Sequence, residues 1–456
     1  MTDLLQPELT ADEQSGGGHR WVPPVVDATR RPPVDAIGVA VAIVLTAVYG
    51  RIGDASPLLG GDGTIAQILS VAVGFAIFWR IAVNDADPGA WRLALAVLGS
   101  FFCLIVTSVL YAENHAYAVD DVGDLAKSAL IFLIIVAGVT NAARLRMATW
   151  AVIASTTIVG LVNIFQQLTH TFGNNYWQLA TSEAEAITSG TVDFRSAGPS
   201  LGPNGFALML IFALPLAIDR FLHEDRRWLR ITAALSCLVI VASLLFTYSR
   251  NGFLNLVLLG LMVVYFYRIN LLYAFIGMLA FASVIAVASP DAFIERIATL
   301  TQFVDGDSAG DESLSSGRQS EYIVALQIFA DHPVTGVGIG NYPHHYLSYS
   351  TGLGLDDRRE DRGAHSLYLQ FAAELGVMGI LWLATILLVL FRRLNGARRR
   401  LAAAGLIATS HQMAAYLMAF TLFFTFSLLR HLSIPRYFMV ALAFAVAAPY
   451  AISRRE

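Results

Sequence analysis

The chain has 456 residues, of which 56% are hydrophobic and only 14% are charged. Soluble domains carry about 25% charged residues, so the composition excludes an ordinary soluble protein and indicates a polytopic membrane protein. The net charge of −4 says little about partners, and we expect membrane lipid but no nucleic acid among them.

The first 34 residues are acidic and then rich in glycine and proline, which predicts a disordered cytoplasmic tail rather than a signal peptide. Twelve apolar stretches follow, each read as a transmembrane helix of an all-α fold. The predicted spans are 36–50, 64–82, 91–112, 124–142, 148–168, 204–220, 229–247, 250–267, 270–289, 366–391, 409–429 and 433–452.

Arginine in the short loops sets the predicted orientation. With the N-terminus inside, the arginine-rich segments are all cytoplasmic, among them the block "RRLNGARRR" at 392–400. Both termini are then cytoplasmic, and two long loops lie outside. We therefore divide the chain into the tail 1–34, a region 35–289 with nine spans and the outer loop 169–203, a large outer loop 290–365, and a region 366–456 with three spans.

The large outer loop is expected to be helical. Its segments "DAFIERIATLTQFV" and "RQSEYIVALQIFADHP" carry apolar residues at helical spacing, and the acidic stretch "DGDSAGDESLSSG" separates them. The later segment "HPVTGVGIGNYPHHY" is read as a solvated loop, in which "GVGIGN" makes a tight backbone crossing rather than a nucleotide-binding turn.

Three arginines lie on the predicted outer face, where positive charge is disfavoured. Arg195 belongs to "FRSAGPSLGPNGFA", Arg250 to "TYSRNGF" and Arg318 to "SSGRQSEY". The alternative interpretation for each arginine is structural: its side chain extends to lipid headgroups or pairs with a loop carboxylate. Together they favour an anion site, because guanidinium groups bind phosphate or pyrophosphate oxygens without a metal. Lys127 is a candidate fourth contact. Arg51, Arg296, Arg358, Arg359, Arg362 and Arg430 are weaker candidates.

His365 precedes the tenth span in "RGAHSLYLQFAAELGVMGILWL" and is a candidate base, with a headgroup-facing histidine as the alternative. Glu374 is a carboxylate within the same span and a supporting candidate. At nine residues from His365, it is expected on the opposite helix face, paired with an arginine or a polar group.

No histidine or carboxylate spacing is diagnostic of a metal site, so no metal or other cofactor is predicted. Two sets were weighed. The first is His332, His344 and His345 with Asp356 and Asp357. The second is Glu113, His115, Asp120 and Asp121, which would suit a metal-dependent glycosyltransferase acting on lipid-linked sugars.

The motifs "FRSAGPSLGPNGFA", "TYSRNGF", "SGRQSEYIVALQIFADHPVTGVGIGNY" and "AHSLYLQFAAELGVMGILWL" resemble, in order and spacing, those of the O-antigen ligase and polymerase superfamily. The resemblance covers roughly residues 190–391. It implies that the arginines of the family correspond to Arg195, Arg250 and Arg318, and its essential histidine to His365. Asn204 and Ser366 lie in these motifs as supporting candidates, and Ser366 stands where the family usually has asparagine.

The resemblance implies a metal-independent, inverting glycosyltransferase of the C-type architecture in the bacterial inner membrane, with its active site on the periplasmic face. Its donor would be a glycan on undecaprenyl pyrophosphate. The acceptor would be a lipid-core sugar or protein side chain for a ligase, or the growing glycan for a polymerase. A small-solute transporter is the further alternative, although the long loop lies outside and charged residues are scarce within the spans.

Overall fold

The computed structural model describes residues 35–50, 88–185, 193–199, 202–270, 312–355, 363–430 and 435–453. These ranges are mostly helical, which confirms the predicted all-α polytopic fold. The helices, numbered in chain order, are α1 (Ala36–Gly50), α2 (Pro88–Val109), α3 (His115–Gly138), α4 (Ala142–Leu168), α5 (Pro203–His223), α6 (Arg227–Leu245), α7 (Arg250–Tyr267), α8 (Glu312–Asp331), α9 (Tyr342–Gly352), α10 (Leu367–Ala403), α11 (Ile407–Phe426) and α12 (Pro435–Ser453). Two strands, β1 (Thr181–Glu185) and β2 (Asp193–Gly198), form an antiparallel hairpin.

Eight of the described helices are long and apolar enough to cross a membrane: α2, α4, α5, α6, α7, α10, α11 and α12. The apolar helix α1 is shorter, and α3 begins with a charged stretch at His115 rather than at residue 124. These ten helices overlap ten predicted spans. The other two, 64–82 and 270–289, lie outside the described residues, the second except for residue 270. The total of twelve and the domain boundaries therefore stay predictions.

The centre of the bundle consists of α5, α11 and α12. Most side chains of these helices are buried on all sides, as expected for helices that are hydrophobic around their whole circumference. Helix α5 packs against α6 and α11, and α12 packs against α3. Helix α7 buries only Gly252, Asn255 and Leu259, so most of its apolar surface faces outward, toward lipid.

His365 lies at one end of the bundle, which we call the His365 end. Helix α10 begins there beside the end of α11, where the Leu367 amide donates to the Arg430 carbonyl at 2.8 Å. Helix α1 ends at the same end, since the Tyr437 hydroxyl at the start of α12 donates to the Val48 carbonyl at 3.3 Å. Consequently α1 begins, and α12 finishes, at the opposite end.

The described part of the large outer loop is helical. Helix α8 contains most of the predicted helical segment 318–333 and confirms it, whereas the predicted segment 291–304 lies outside the described residues. The interpretation of the segment after it as a solvated loop was wrong, because residues 342–352 form α9. Tyr342 and Tyr346, one turn apart on α9, are fully buried in one cluster with Val324 and Ile328 of α8.

Helix α10 is broken at Gly376, whose φ of 62° and ψ of −155° interrupt the helical hydrogen bonds. The outer loop replaces them. Val337 and Gly338 donate their amides to the carbonyls of Ala373 (3.0 Å) and Glu374 (2.8 Å). The Val377 amide donates to the Pro333 carbonyl at 2.8 Å. Backbone groups freed by the break are thus satisfied, as burial demands.

Glycine makes this crossing possible. A Cβ on Gly336 would lie 2.3 Å from the Glu374 carbonyl carbon, and a Cβ on Gly376 would lie 2.4 Å from the Val334 oxygen. The predicted tight crossing of "GVGIGN" is therefore what the structure contains. This crossing joins the loop that carries α8 and α9 to the first turns of α10, and it therefore fixes α8 relative to His365.

Candidate active site

His365 has a left-handed backbone, with φ of 43°, directly before α10. This conformation is uncommon for a residue with a side chain and costs about 1–3 kcal/mol, so the surrounding contacts must hold it. On one side Ala364 is fully buried. On the other, the Ser366 hydroxyl caps α10 by accepting the Leu369 amide at 3.4 Å. Ser366 thus acts locally as an N-cap.

Glu321 on α8 is a charged neighbour of His365 that no sequence motif indicated as a site residue. Its Oε2 lies 2.6 Å from His365 Nδ1. The Glu321 side chain is only 2% exposed, whereas that of His365 is 35% exposed. The same Nδ1 lies 3.2 Å from the Gly363 carbonyl, which can only accept a hydrogen bond. The carbonyl and the carboxylate together favour the tautomer with the proton on Nδ1, which leaves Nε2 as the basic nitrogen.

Glu321 is itself held in place by the loop. Its backbone carbonyl accepts the Tyr342 hydroxyl at 2.8 Å, and the rings of Tyr342 and Tyr346 lie 6.1 Å apart. A buried carboxylate that contacts a partly exposed imidazole is an arrangement typical of a positioned general base.

Arg195 is carried by the hairpin and is 5% exposed. Its Nε donates to the Thr247 carbonyl at 3.0 Å, and the next residue, Ser196, donates its amide to the Phe246 carbonyl at 2.9 Å. Strand β2 therefore lies along the turn between α6 and α7. Across the hairpin, Glu183 is the pairing partner of Arg195 in the backbone register. The sequence predicts this region only as part of the outer loop 169–203, and the hairpin was not foreseen.

Arg250 is the first residue of α7, on the same turn. Ser249 caps the helix by accepting the Gly252 amide at 3.1 Å and donates its hydroxyl to Asn204 Oδ1 at 2.8 Å. Tyr248 before it has a left-handed φ of 47°. Asn204 thus braces the turn that holds Arg250, and its placement next to a candidate arginine agrees with a supporting role.

The end of α11 connects this turn to His365. The Asn251 side chain donates to the Phe426 carbonyl at 2.8 Å. On the other side, the Tyr368 hydroxyl donates to the Phe424 carbonyl at 3.0 Å. Residues directly after Arg250 and shortly after His365 therefore bind the same turn of α11, so the two candidates lie at one end of the bundle.

Arg430, a weaker candidate from the sequence, also belongs to this region. Its carbonyl accepts the Leu367 amide, two residues after His365. Burial lowers the pKa of Arg430 to about 10, and the negative charge of Glu183, the residue opposite Arg195, acts in the other direction. Arg430 therefore lies between the hairpin and the start of α10, and it stays protonated at neutral pH.

Three further candidate residues are Arg318, Lys127 and Glu374. Arg318 lies on α8, three residues before Glu321. Lys127 is exposed and pairs with Asp124 on its own helix at 2.9 Å. Glu374 is buried and accepts the Tyr342 amide at 3.3 Å and the Gln370 side chain at 3.3 Å. It pairs with polar groups, as expected, and supports the loop crossing rather than contacting His365.

Within the described ranges, no group of three or more His, Cys, Asp or Glu side chains is arranged to hold a metal ion. His345 pairs with Glu113 at 3.2 Å, which joins α9 to the segment before α3. Burial lowers the pKa of His345, more than the nearby Glu113 raises it. Asp356 and Asp357, weighed as ligands from the sequence, lie outside the described residues.

Comparisons with known proteins give a match over part of the chain. No curated protein matches the chain. The family model described as O-antigen ligase matches residues 233–384, a segment that contains Arg250, Glu321 and His365 and leaves out Arg195 and Arg430. Within this segment, the chain is similar to the O-antigen ligase family.

Proposed function

We propose that the protein transfers a glycan from undecaprenyl pyrophosphate to an acceptor hydroxyl, with His365 as general base. The contact between His365 and the buried Glu321, at 2.6 Å, carries the proposal. It is supported by the arginines at the same end of the bundle and by the match of residues 233–384 to the O-antigen ligase family model. The site would lie on the periplasmic face of a bacterial inner membrane, with both termini in the cytoplasm.

In the proposed step, the acceptor oxygen attacks the anomeric carbon while His365 Nε2 takes its proton. Glu321 holds the ring and stabilises the imidazolium that forms. The bond between the anomeric carbon and the phosphate oxygen breaks, and undecaprenyl pyrophosphate leaves with the bonding electrons. In-line attack inverts the anomeric configuration.

The leaving group gains negative charge during this step. Arg195 and Arg250, held by the α6–α7 turn, would stabilise that charge, with Arg318 and Arg430 as further contacts. Such fixed cations suffice in principle, since pyrophosphate is a good leaving group without protonation. The family resemblance further suggests a lipid-core sugar, a protein side chain or a growing glycan as the acceptor.

The decisive experiment compares purified wild-type protein with His365→Gly and Arg250→Ala, supplied with a donor on undecaprenyl pyrophosphate and an acceptor. Glycine accepts the left-handed backbone at position 365, so the first variant removes the imidazole without adding strain. We expect a loss of transfer of about 100-fold or more in both variants, with each variant still folded and showing a cooperative thermal transition. Full activity in both would disprove the proposal.

Two further measurements separate the alternatives. Transfer that continues in the presence of a chelator is expected here, whereas a metal-dependent glycosyltransferase would stop. In a deletion strain, long glycan chains that accumulate on the carrier lipid indicate a ligase, and single repeat units indicate a polymerase. Solute counterflow in proteoliposomes that contain no glycan lipid would instead favour a transporter.

A further inference from the structure

At the end of the bundle opposite His365, a cavity of about 300 Å³ lies between the last turns of α10 and α12. Its lining contains three arginines together with small and aromatic residues. The lining residues are Arg392, Arg393, Gly396, Arg400, Pro449, Tyr450 and Ser453. The catalytic proposal uses none of them.

The arginines converge because of helix geometry. Arg392, Gly396 and Arg400 are four residues apart and share one face of α10, with about 12 Å of helix between the two arginines. Gly396 leaves space between them, since a Cβ added there would meet no atom within 4 Å. Arg393 extends over the Tyr450 ring, with its Cζ 5.4 Å from the ring centroid.

The positive charge of the cavity is not neutralised from within the described part of the chain, where no ion pair joins any of the three arginines to a carboxylate. The neighbouring Arg398 is used differently: it stacks over Phe266 at 5.0 Å and donates to Asn395. The excess of arginine in cytoplasmic segments explains why this segment is rich in arginine. It does not require three of these arginines to surround one cavity.

Apolar surface continues from the cavity toward the membrane. Leu388, one turn before Arg392 on the same face of α10, is 49% exposed, and Phe391 is 39% exposed. A ligand held here would therefore present an anionic group to the arginines and a hydrocarbon chain to α10. We infer that the cavity binds the phosphate headgroup of an anionic phospholipid.

The test uses the full-length protein in detergent, titrated with phosphatidylglycerol or phosphatidylcholine and followed by native mass spectrometry. Arg400→Gln removes a cavity arginine, and Arg399→Gln removes the adjacent exposed arginine, which does not line the cavity. We expect phosphatidylglycerol to bind about tenfold more weakly to Arg400→Gln and to be almost unaffected by Arg399→Gln. Phosphatidylcholine should bind weakly to all three proteins.

A third variant, Gly396→Leu, keeps every charge and fills the cavity. It should retain the wild-type unfolding temperature and lose the bound phosphatidylglycerol. Equal losses in Arg399→Gln and Arg400→Gln, or unchanged binding in Gly396→Leu, would overturn the inference. Displacement of the lipid by millimolar inorganic phosphate would also overturn it, because the site would then recognise free phosphate rather than a headgroup. No glycan donor is present, so the result is independent of the proposed transfer.

Discussion

The pair formed by Glu321 and His365 is a small structural unit with a clear division of roles. Glu321 is buried and fixed through its backbone to Tyr342, whereas His365 is partly exposed and able to meet a substrate. The carboxylate cannot reach an acceptor itself. In the proposed reaction, its effect would pass through the imidazole, by fixing the orientation of the ring and by stabilising its protonated form.

Replacing Glu321 by glutamine tests this role. The amide preserves size and can still contact Nδ1, but it cannot stabilise the imidazolium, so we expect kcat to fall by about 100-fold or more. KM should change little, because neither substrate contacts Glu321 in the proposed arrangement. Asp331→Asn, which removes an exposed carboxylate from the same helix, is the matched control and should stay within about twofold.

A different outcome would reassign Glu321. If KM rises while kcat is maintained, the carboxylate supports substrate binding rather than the base. If the unfolding temperature falls together with kcat, the contact with His365 is chiefly a stabilising one.

The sequence allowed Arg195 and Arg250 to be named, because arginine is unusual on the predicted outer face. His365 was named beside them because its motif resembles one of the O-antigen ligase and polymerase superfamily. Glu321 was missed for a physical reason. Its partner is far along the chain, and a carboxylate in an amphipathic helix ordinarily faces solvent. Only the packing of α8 beside the start of α10 shows that this one is buried.

At the scale of elements, the break in α10 is the feature that joins membrane and loop. The backbone of Gly376 adopts φ and ψ values accessible essentially to glycine alone. The segment 333–338 fills the gap and accepts or donates the hydrogen bonds that the helix gives up. The apolar pattern predicts 366–391 as one continuous span. The break could not be foreseen, because the presence of a glycine in a helix does not show which backbone conformation it adopts.

Gly376→Ala tests the break. We expect it to destabilise the protein by about 3 kcal/mol or more, because strain adds to a Cβ contact with the Val334 carbonyl. Activity should fall as well, since α8 would shift relative to His365. Gly260→Ala on α7 is the control: its Cβ meets no atom within 4 Å, and the change should be neutral or stabilise by up to about 1 kcal/mol. Equal Tm values for the two variants would contradict the role of the crossing.

The hairpin and α9 are two elements that the periodicity of apolar residues does not predict. Strands β1 and β2 are short and polar, and their pairing depends on support from the α6–α7 turn through Ser196 and Arg195. Helix α9 is rich in tyrosine and histidine, which resemble loop composition until their burial against α8 is known. In both cases tertiary contacts decide the local structure.

At the scale of the whole molecule, the described chain is a bundle with two chemically different ends. The His365 end carries the candidate active site, the hairpin and the outer loop helices. The opposite end carries the arginine-lined cavity, the start of α1 and the finish of α12. The arginines of the short loops predict that this second end faces the cytoplasm, because the charge rule depends on loop composition.

Cysteine labelling tests which end faces the cytoplasm. In a background without Cys103 and Cys237, Thr351→Cys places an exposed thiol on α9, and Ser453→Cys places one at the end of α12. A membrane-impermeant maleimide should label Thr351→Cys in cells whose inner membrane is intact, and Ser453→Cys only after that membrane is opened. Labelling in the reverse order would invert the proposed orientation, and equal labelling in intact cells would contradict a bundle with separated ends.

The crossing of Gly336 over Gly376 has one more consequence. Because backbone bonds clamp α10 to the outer loop, this helix cannot slide along the membrane normal without breaking them. The imidazole is thereby kept in place relative to the outer loop. In the proposed reaction, a carrier lipid would bring its sugar to that level, so the protein and not the length of the glycan would set the height of the reacting bond above the bilayer.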